Sequence, residues 1–328
     1  MRLLIHERAL ERLRGAIGAD GAALDYVTID DAGEISAAGA TLTTDEARPD
    51  IAWANQDVFF SGASRNFMAA TLKSPNLKWV QSGAAGFDNP VFGKIVEKGA
   101  RLTTSHGQAV GMADYVLWGV LDHLQRGPAR RTAQGAGEWT RTAFHEIAGS
   151  RWTIIGFGAI GRGVAVRAAA FGAHVTGVRR SGQPDAAAER MATLAELPDL
   201  LPDTDVLVLA TPLSPETRHV AGPAAFARMK PGSVLVNVGR GGLVDEPALL
   251  AALDRGAPAH AVLDVFETEP LPADAWFWDH PKVVATAHCS AASDGVQPRG
   301  DVLFLENLRR YRTGEPLLNE ARPSEVGL

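Results

Sequence analysis

Two kinds of hydrophobic run alternate along this chain. Short continuous runs, in MRLLIH, LDYVTID, DIAWAN, LKWVQSG and RLTTS, occupy the first third, separated by segments such as ERALERLRGAIG, whose apolar positions recur every three or four places. The short runs predict strands and the spaced ones helices, and NPVFGKIVEKG predicts a helix closed by Gly99. Alternation of this kind predicts a parallel sheet with helices on both faces.

In QAVGMADYVLWGVLDHLQRG, the residues Ala113, Val116, Leu117, Val120, Leu121 and Leu124 form one apolar stripe, with Gly127 and Pro128 as stop signals. The polar stretch that follows, ARRTAQGAGEWTRTAFHEIAGS, has no period and predicts a surface loop. A second set of strands comes next: WTII, HVTGV, DVLVLAT, SVLVNV, AVLDVF and KVVATA. They are nearly continuous in Val, Ile and Leu, as strands are when helices cover both faces of their sheet. With GRGVAVRAAAFG, ATLAELPDLL, PAAFARMKPG and EPALLAALDRG as crossover helices, these six strands fit a doubly wound Rossmann sheet. DVLFLENLRRYRTG predicts a last amphipathic helix.

A length of 328 residues favours about two domains. The hydrophobic fraction of 46% and the charged fraction of 21% are ordinary for a globular chain. A net charge of −6 gives no positive field to recruit nucleic acid or an anionic membrane surface. Cys289 is the one cysteine, so an intrachain disulfide is excluded and a zinc cluster unsupported. The segment MRLLIHERALER is too charged for a signal peptide, and no apolar run is long enough to span a bilayer, so a cytoplasmic protein is expected.

Chemistry enters at GFGAIG, residues 156 to 161, directly after the strand WTII and running into a helical pattern. Glycine at 156 permits a tight turn, at 158 a close approach of backbone to a pyrophosphate, and at 161 close helix–strand packing. The following helix start offers N–H groups and partial positive charge to phosphates. The next strand, HVTGV, should end in an acid if the ribose hydroxyls of NAD are to be bound there. Instead Arg179, Arg180 and Ser181 stand at that place. An acid would repel a 2′-phosphate, whereas guanidinium groups bind phosphate bidentately. The sequence therefore predicts NADP(H), with NAD(H) as the alternative.

Three residues fall at or just past predicted strand ends, where open α/β sheets place ligands: Arg240, Glu269 and His288. Reduction of a ketone next to a carboxylate needs a rigid cationic fork for the substrate and a proton donor for the oxygen. Histidine titrates in the right range, and a neighbouring carboxylate favours its charged form. Taken singly, each residue has a dull explanation as loop, turn or strand-end polarity. Their joint placement after a nucleotide fingerprint predicts a hydride-transfer site.

Several motifs then occur in order: GFGAIG, ATPLSPETRHV, MKPGSVLVNVGRGGLVDEPALLAAL, LDVFETEPLP, the His of ATAHCSA, and LENLRRYRTGEPLLN. Together they resemble the D-isomer-specific 2-hydroxyacid dehydrogenase family over nearly the whole chain. The resemblance implies that an arginine binds substrate and a glutamate–histidine pair supplies the proton, roles that fall on Arg240, Glu269 and His288. It implies a Rossmann nucleotide-binding domain, residues 104–291, inserted in a smaller flavodoxin-like α/β substrate domain, residues 1–103 and 292–328. QSGAAGFD matches the loop whose amides hold the substrate carboxylate, pointing to Ala85 and Gly86. Ala159 and Ile160 match phosphate contacts. Thr211, Pro212, Val238, Gly239, Asp264 and Ser290 match further cofactor contacts, with Asp264 facing the nicotinamide carboxamide. A homodimer is implied as well. The departures are Asp114 for the usual Glu, Ala287 for the usual proline, and an unusual SAASDG after His288.

EPLPADAWFWDHP resembles the matching segment of glyoxylate/hydroxypyruvate reductases, so an NADPH-dependent reductase of a small 2-keto acid is expected, giving the D-2-hydroxy acid. Two alternatives stay open: a nucleotide-sensing, corepressor-like binding protein on the same fold, and a short phosphoglycerate-type dehydrogenase using NAD.

Overall fold

The computed structural model describes residues 1–18, 24–86, 90–323 and 326. The chain divides into two compact units, one formed by Met1–Gln108 with Asp294–Leu328 and the other by Ala109–Ser293.

In the first unit the predicted strands are β1 (Arg2–His6), β2 (Asp25–Ile29), β5 (Ile51–Ala54), β6 (Trp79–Ser82) and β7 (Arg101–Thr103), paired in parallel in the order β2-β1-β5-β6-β7. That is the flavodoxin-like order. Two short strands, β3 (Ile35–Ala37) and β4 (Ala40–Leu42), extend the β2 edge antiparallel. Pattern reading misses them because each is three residues long. Their turn depends on Ala38 and Gly39 both taking positive φ, 49° and 81°, the geometry that lets two residues reverse a twisted ribbon. The helix Val296–Thr313 returns to this unit, where Phe304 stacks on Trp53 with ring centroids 5.1 Å apart.

The second unit carries β8 (Arg151–Ile155), β9 (His174–Val178), β10 (Arg190–Ala192), β11 (Val206–Leu209), β12 (Val234–Asn237), β13 (His260–Leu263) and β14 (Val283–Ala285). They pair in parallel in the order β10-β9-β8-β11-β12-β13-β14, a doubly wound sheet with one strand more than the six predicted. The extra strand is the short β10. Every residue of β11, β12 and β13 is buried, as their unbroken apolar sequences require. Strand order reverses between β8 and β11, which opens a crevice at their C-terminal ends.

One prediction needs correction. The stretch from 129 to 150, expected as loop, begins with a helix, Gly127–Ala136. Arg126 breaks the preceding helix, Ala109–Leu124, in a left-handed conformation, and Pro128 then starts a new one instead of ending structure. This helix buries none of its residues, so no apolar stripe betrays it. The segment ATLAELPDLL is also less regular than expected: it forms a 3-10 turn, the single turn Leu197–Leu200 and another 3-10 turn, interrupted by Pro198 and Pro202.

Candidate active site

At the switch point, Gly156 donates its N–H to the Val178 carbonyl at 2.9 Å and turns with φ +93°. A Cβ there would collide with the Ala210 carbonyl, so only glycine lets β8 and β11 come this close. The helix Ala159–Ala170 starts at Gly158 without any side-chain cap. Space around Gly158 is open where a Cβ would stand, and the helix-start N–H groups have no internal partner. This is a fit for a dinucleotide pyrophosphate. Ala159 and Ile160 form the first turn, and Gly161 brings the helix against Ile154.

Arg179, just past β9, does not reach outward. Its Nη2 donates to the carbonyls of Gln183 at 2.7 Å and Pro184 at 3.2 Å, and its Nη1 lies 3.4 Å from the Asp185 carboxylate. Arg162 approaches the same carboxylate at 3.5 Å. Arg179 therefore shapes the loop, while Arg180 and Ser181 stand exposed at its tip. The Ser214 hydroxyl holds the Glu216 carboxyl below its usual range with a weaker pull from Arg180, so that guanidinium lies within electrostatic reach of the turn after β11. Thr211 and Pro212 begin this turn, and the Pro212 carbonyl accepts from the Thr217 hydroxyl at 2.8 Å.

Past β12 the side chain of Asn237 closes a tight turn. It accepts from the Gly239 N–H at 3.0 Å and donates to the Arg240 carbonyl at 2.9 Å. Val238 is buried, and Arg240 is half-buried with its Nη1 donating to the Gly239 carbonyl at 2.7 Å. A Cβ at Gly241 would collide with the Phe266 carbonyl, so the backbone after Arg240 lies directly on the segment leading to Glu269. Glu269 is tied at both oxygens: one accepts from the Phe266 N–H at 3.0 Å, the other from His288 Nδ1 at 2.8 Å. A carboxylate only accepts, so Nδ1 carries a hydrogen and Nε2 is the nitrogen left for a substrate. The pair is reachable, with side chains 51% and 35% exposed for His288 and Glu269.

Asp264, at the end of β13, is wholly buried. Its carboxylate accepts from the Thr286 hydroxyl at 2.6 Å, the Cys289 N–H at 2.8 Å and the Ser290 N–H at 2.9 Å. Burial favours its neutral form, but donors on Ser290, Thr286 and Cys289 outweigh that and hold the carboxyl below the usual range. Ala85 and Gly86 belong to the first unit, in the turn after β6; with the Gln108 amide oriented to satisfy both neighbours, its oxygen accepts from the Ala85 N–H at 2.9 Å. Among the described residues no cluster of three metal-ligating side chains occurs.

Residues 117–290 match the family model of the D-isomer specific 2-hydroxyacid dehydrogenase, NAD binding domain. The chain belongs to the D-isomer specific 2-hydroxyacid dehydrogenase family. An (S)-sulfolactate dehydrogenase of Chromohalobacter salexigens is 38% identical over 241 residues, covering 72% of this chain and 78% of that one. A glyoxylate reductase of Thermococcus gammatolerans is 33% identical over 74% of this chain and 75% of its own. Among solved structures, an NADPH-dependent glyoxylate/hydroxypyruvate reductase from Sinorhizobium meliloti, in complex with NADP and sulfate, superposes with a TM-score of 0.77 at 27% identity, covering 99% of each chain. A family member from Xanthobacter autotrophicus, in complex with NADPH and MES, has a TM-score of 0.75 at 29% identity, covering 98% of this chain and 99% of that one.

This dehydrogenase thus brings Arg240, Glu269 and His288 onto adjoining segments of one unit. Sequence reasoning passed over Asn237, Asp185 and Tyr115. An Asn ahead of three glycines in NVGRGG is a turn signal that finds Asn237. Tyr115 carries no such local mark, because its partner, Thr286, is 171 positions away.

Proposed function

We propose that this enzyme uses NADPH to reduce a small 2-keto acid, of the glyoxylate or hydroxypyruvate kind, to the D-2-hydroxy acid. The observation that carries the reading is the 2.8 Å Glu269–His288 pair beside the Arg240 turn, in the unit that also holds the uncapped glycine turn. When bound, NADPH supplies the hydride. The backbone from Gly156 to Gly161 takes the pyrophosphate, and Arg180 with Ser181 takes the 2′-phosphate on the loop that Arg179 braces. Arg240 binds the keto acid through its fork and draws electron density toward the carbonyl oxygen. His288 gives that oxygen a proton, and Glu269 orients the ring through Nδ1.

The NADPH-bound and NADP-bound neighbours support the cofactor assignment, and the glyoxylate reductase relative supports the substrate class. The test is oxidation of NADPH and NADH against glyoxylate, hydroxypyruvate, pyruvate, sulfopyruvate, phosphohydroxypyruvate, phenylpyruvate and branched 2-keto acids. We expect the lower Michaelis constant for NADPH and the highest kcat/KM for glyoxylate or hydroxypyruvate. A clear NADH preference, or best turnover of a sulfonated or phosphorylated acid, overturns the corresponding half of the assignment.

A further inference from the structure

His288 holds a backbone φ of +49°, in the left-handed region that side chains other than glycine rarely adopt. Such a conformation persists where the surroundings over-determine it. Here they do so from one point. Asp264 accepts the His288 N–H on its backbone carbonyl at 2.8 Å, and its carboxylate takes Thr286 on one side of the histidine and Cys289 and Ser290 on the other. The loop is wrapped around a buried anion.

Beyond this wrap lies a link to a different element. Tyr115, on the helix Ala109–Leu124, has its hydroxyl 2.7 Å from the Thr286 hydroxyl. A threonine hydroxyl has one proton, and that of Thr286 is committed to the Asp264 carboxylate. Thr286 can then only accept from Tyr115, which fixes a single direction: Tyr115 to Thr286 to Asp264. Burial keeps the Tyr115 phenol protonated, so the donor persists through the working pH range. Its helix is held in the core by Met112, Ala113, Val116 and Val120, so the chain of bonds ends on a rigid element.

We propose that Tyr115 is a positioning residue for His288, acting through Thr286 and Asp264 to hold the acid against Glu269. The proposal rests on the assignment of His288 as the proton donor, and the test separates the two. Tyr115→Phe removes one oxygen. With the cofactor and the 2-keto acid turned over fastest, kcat should fall about five- to twenty-fold, with the KM of the keto acid and the cofactor Kd within about twofold of the wild type. Thr286→Ser should keep near wild-type rates. Thr286→Val should fall further, and Tyr115→Phe added to it should cost nothing more, since both act on one chain of bonds.

Wild-type kcat in Tyr115→Phe, a loss carried by KM or cofactor Kd instead of kcat, or multiplicative losses in the double variant would each overturn the positioning role. His288→Ala reports on the underlying assignment. If that variant keeps its turnover, the acid lies elsewhere; if it is dead while Tyr115→Phe is normal, only the positioning role falls.

Discussion

Arg179 turns its guanidinium back onto the carbonyls of Gln183 and Pro184, whereas Arg180 and Ser181 stand exposed beside it. Two adjacent arginines of equal charge therefore have separable effects. Arg180→Glu should raise the KM for NADPH roughly tenfold, the value of about one charge-assisted hydrogen bond, and leave the KM for NADH and the Tm unchanged. Arg179→Ala should instead lower stability by about 1–2 kcal/mol in denaturant melts, because it removes the loop's bonds to the Gln183 and Pro184 carbonyls and leaves the Asp185 side chain with Arg162 and the Ala187 N–H. Equal cofactor effects from both variants would mean that the loop does not divide its work this way. The sequence displayed the pair of arginines. Which of them faces inward depends on Asp185, and no pattern in SGQPDA declares that carboxylate buried.

At the scale of elements, the helix Ala109–Leu124 meets β13 through two stacked imidazoles, His123 and His260, with ring centroids 4.2 Å apart. Burial pushes the His260 pKa down to about 3, aided by the charge His123 would carry. Folding therefore requires a neutral His260. Its cost is absent above the unfolded-state value of about 6.5 and grows by about 1.4 kcal/mol per pH unit as pH falls from there toward 3. Acid melts followed by circular dichroism should show this loss, and His260→Leu should flatten it. A wild-type slope in the variant would assign the acid sensitivity to other groups. The helix Gly127–Ala136 shows the limit of pattern reading at this scale, since an element that buries nothing leaves no periodic trace.

For the whole molecule, the second unit exposes Trp118 and Phe171 around a groove of about 610 Å³ that also takes in Leu117, Leu121 and Arg130. Phe144 lies beneath Arg130, 5.2 Å from its guanidinium. Among the described residues no helix is long and apolar enough to cross a membrane. The sequence by itself determined the two main sets of strands and the glycine turn after β8, and it singled out Arg240, Glu269 and His288 as candidates, because strand periodicity, tight turns and strand-end placement are local properties. Convergence was decided only in three dimensions. Glu269 meets His288 across 19 positions because β13 and β14 lie side by side, and the backbone after Arg240 lies against Phe266 because Gly241 has no side chain to hold it away. Packing of distant segments sets such distances, and the spacing of residues along a chain does not encode them.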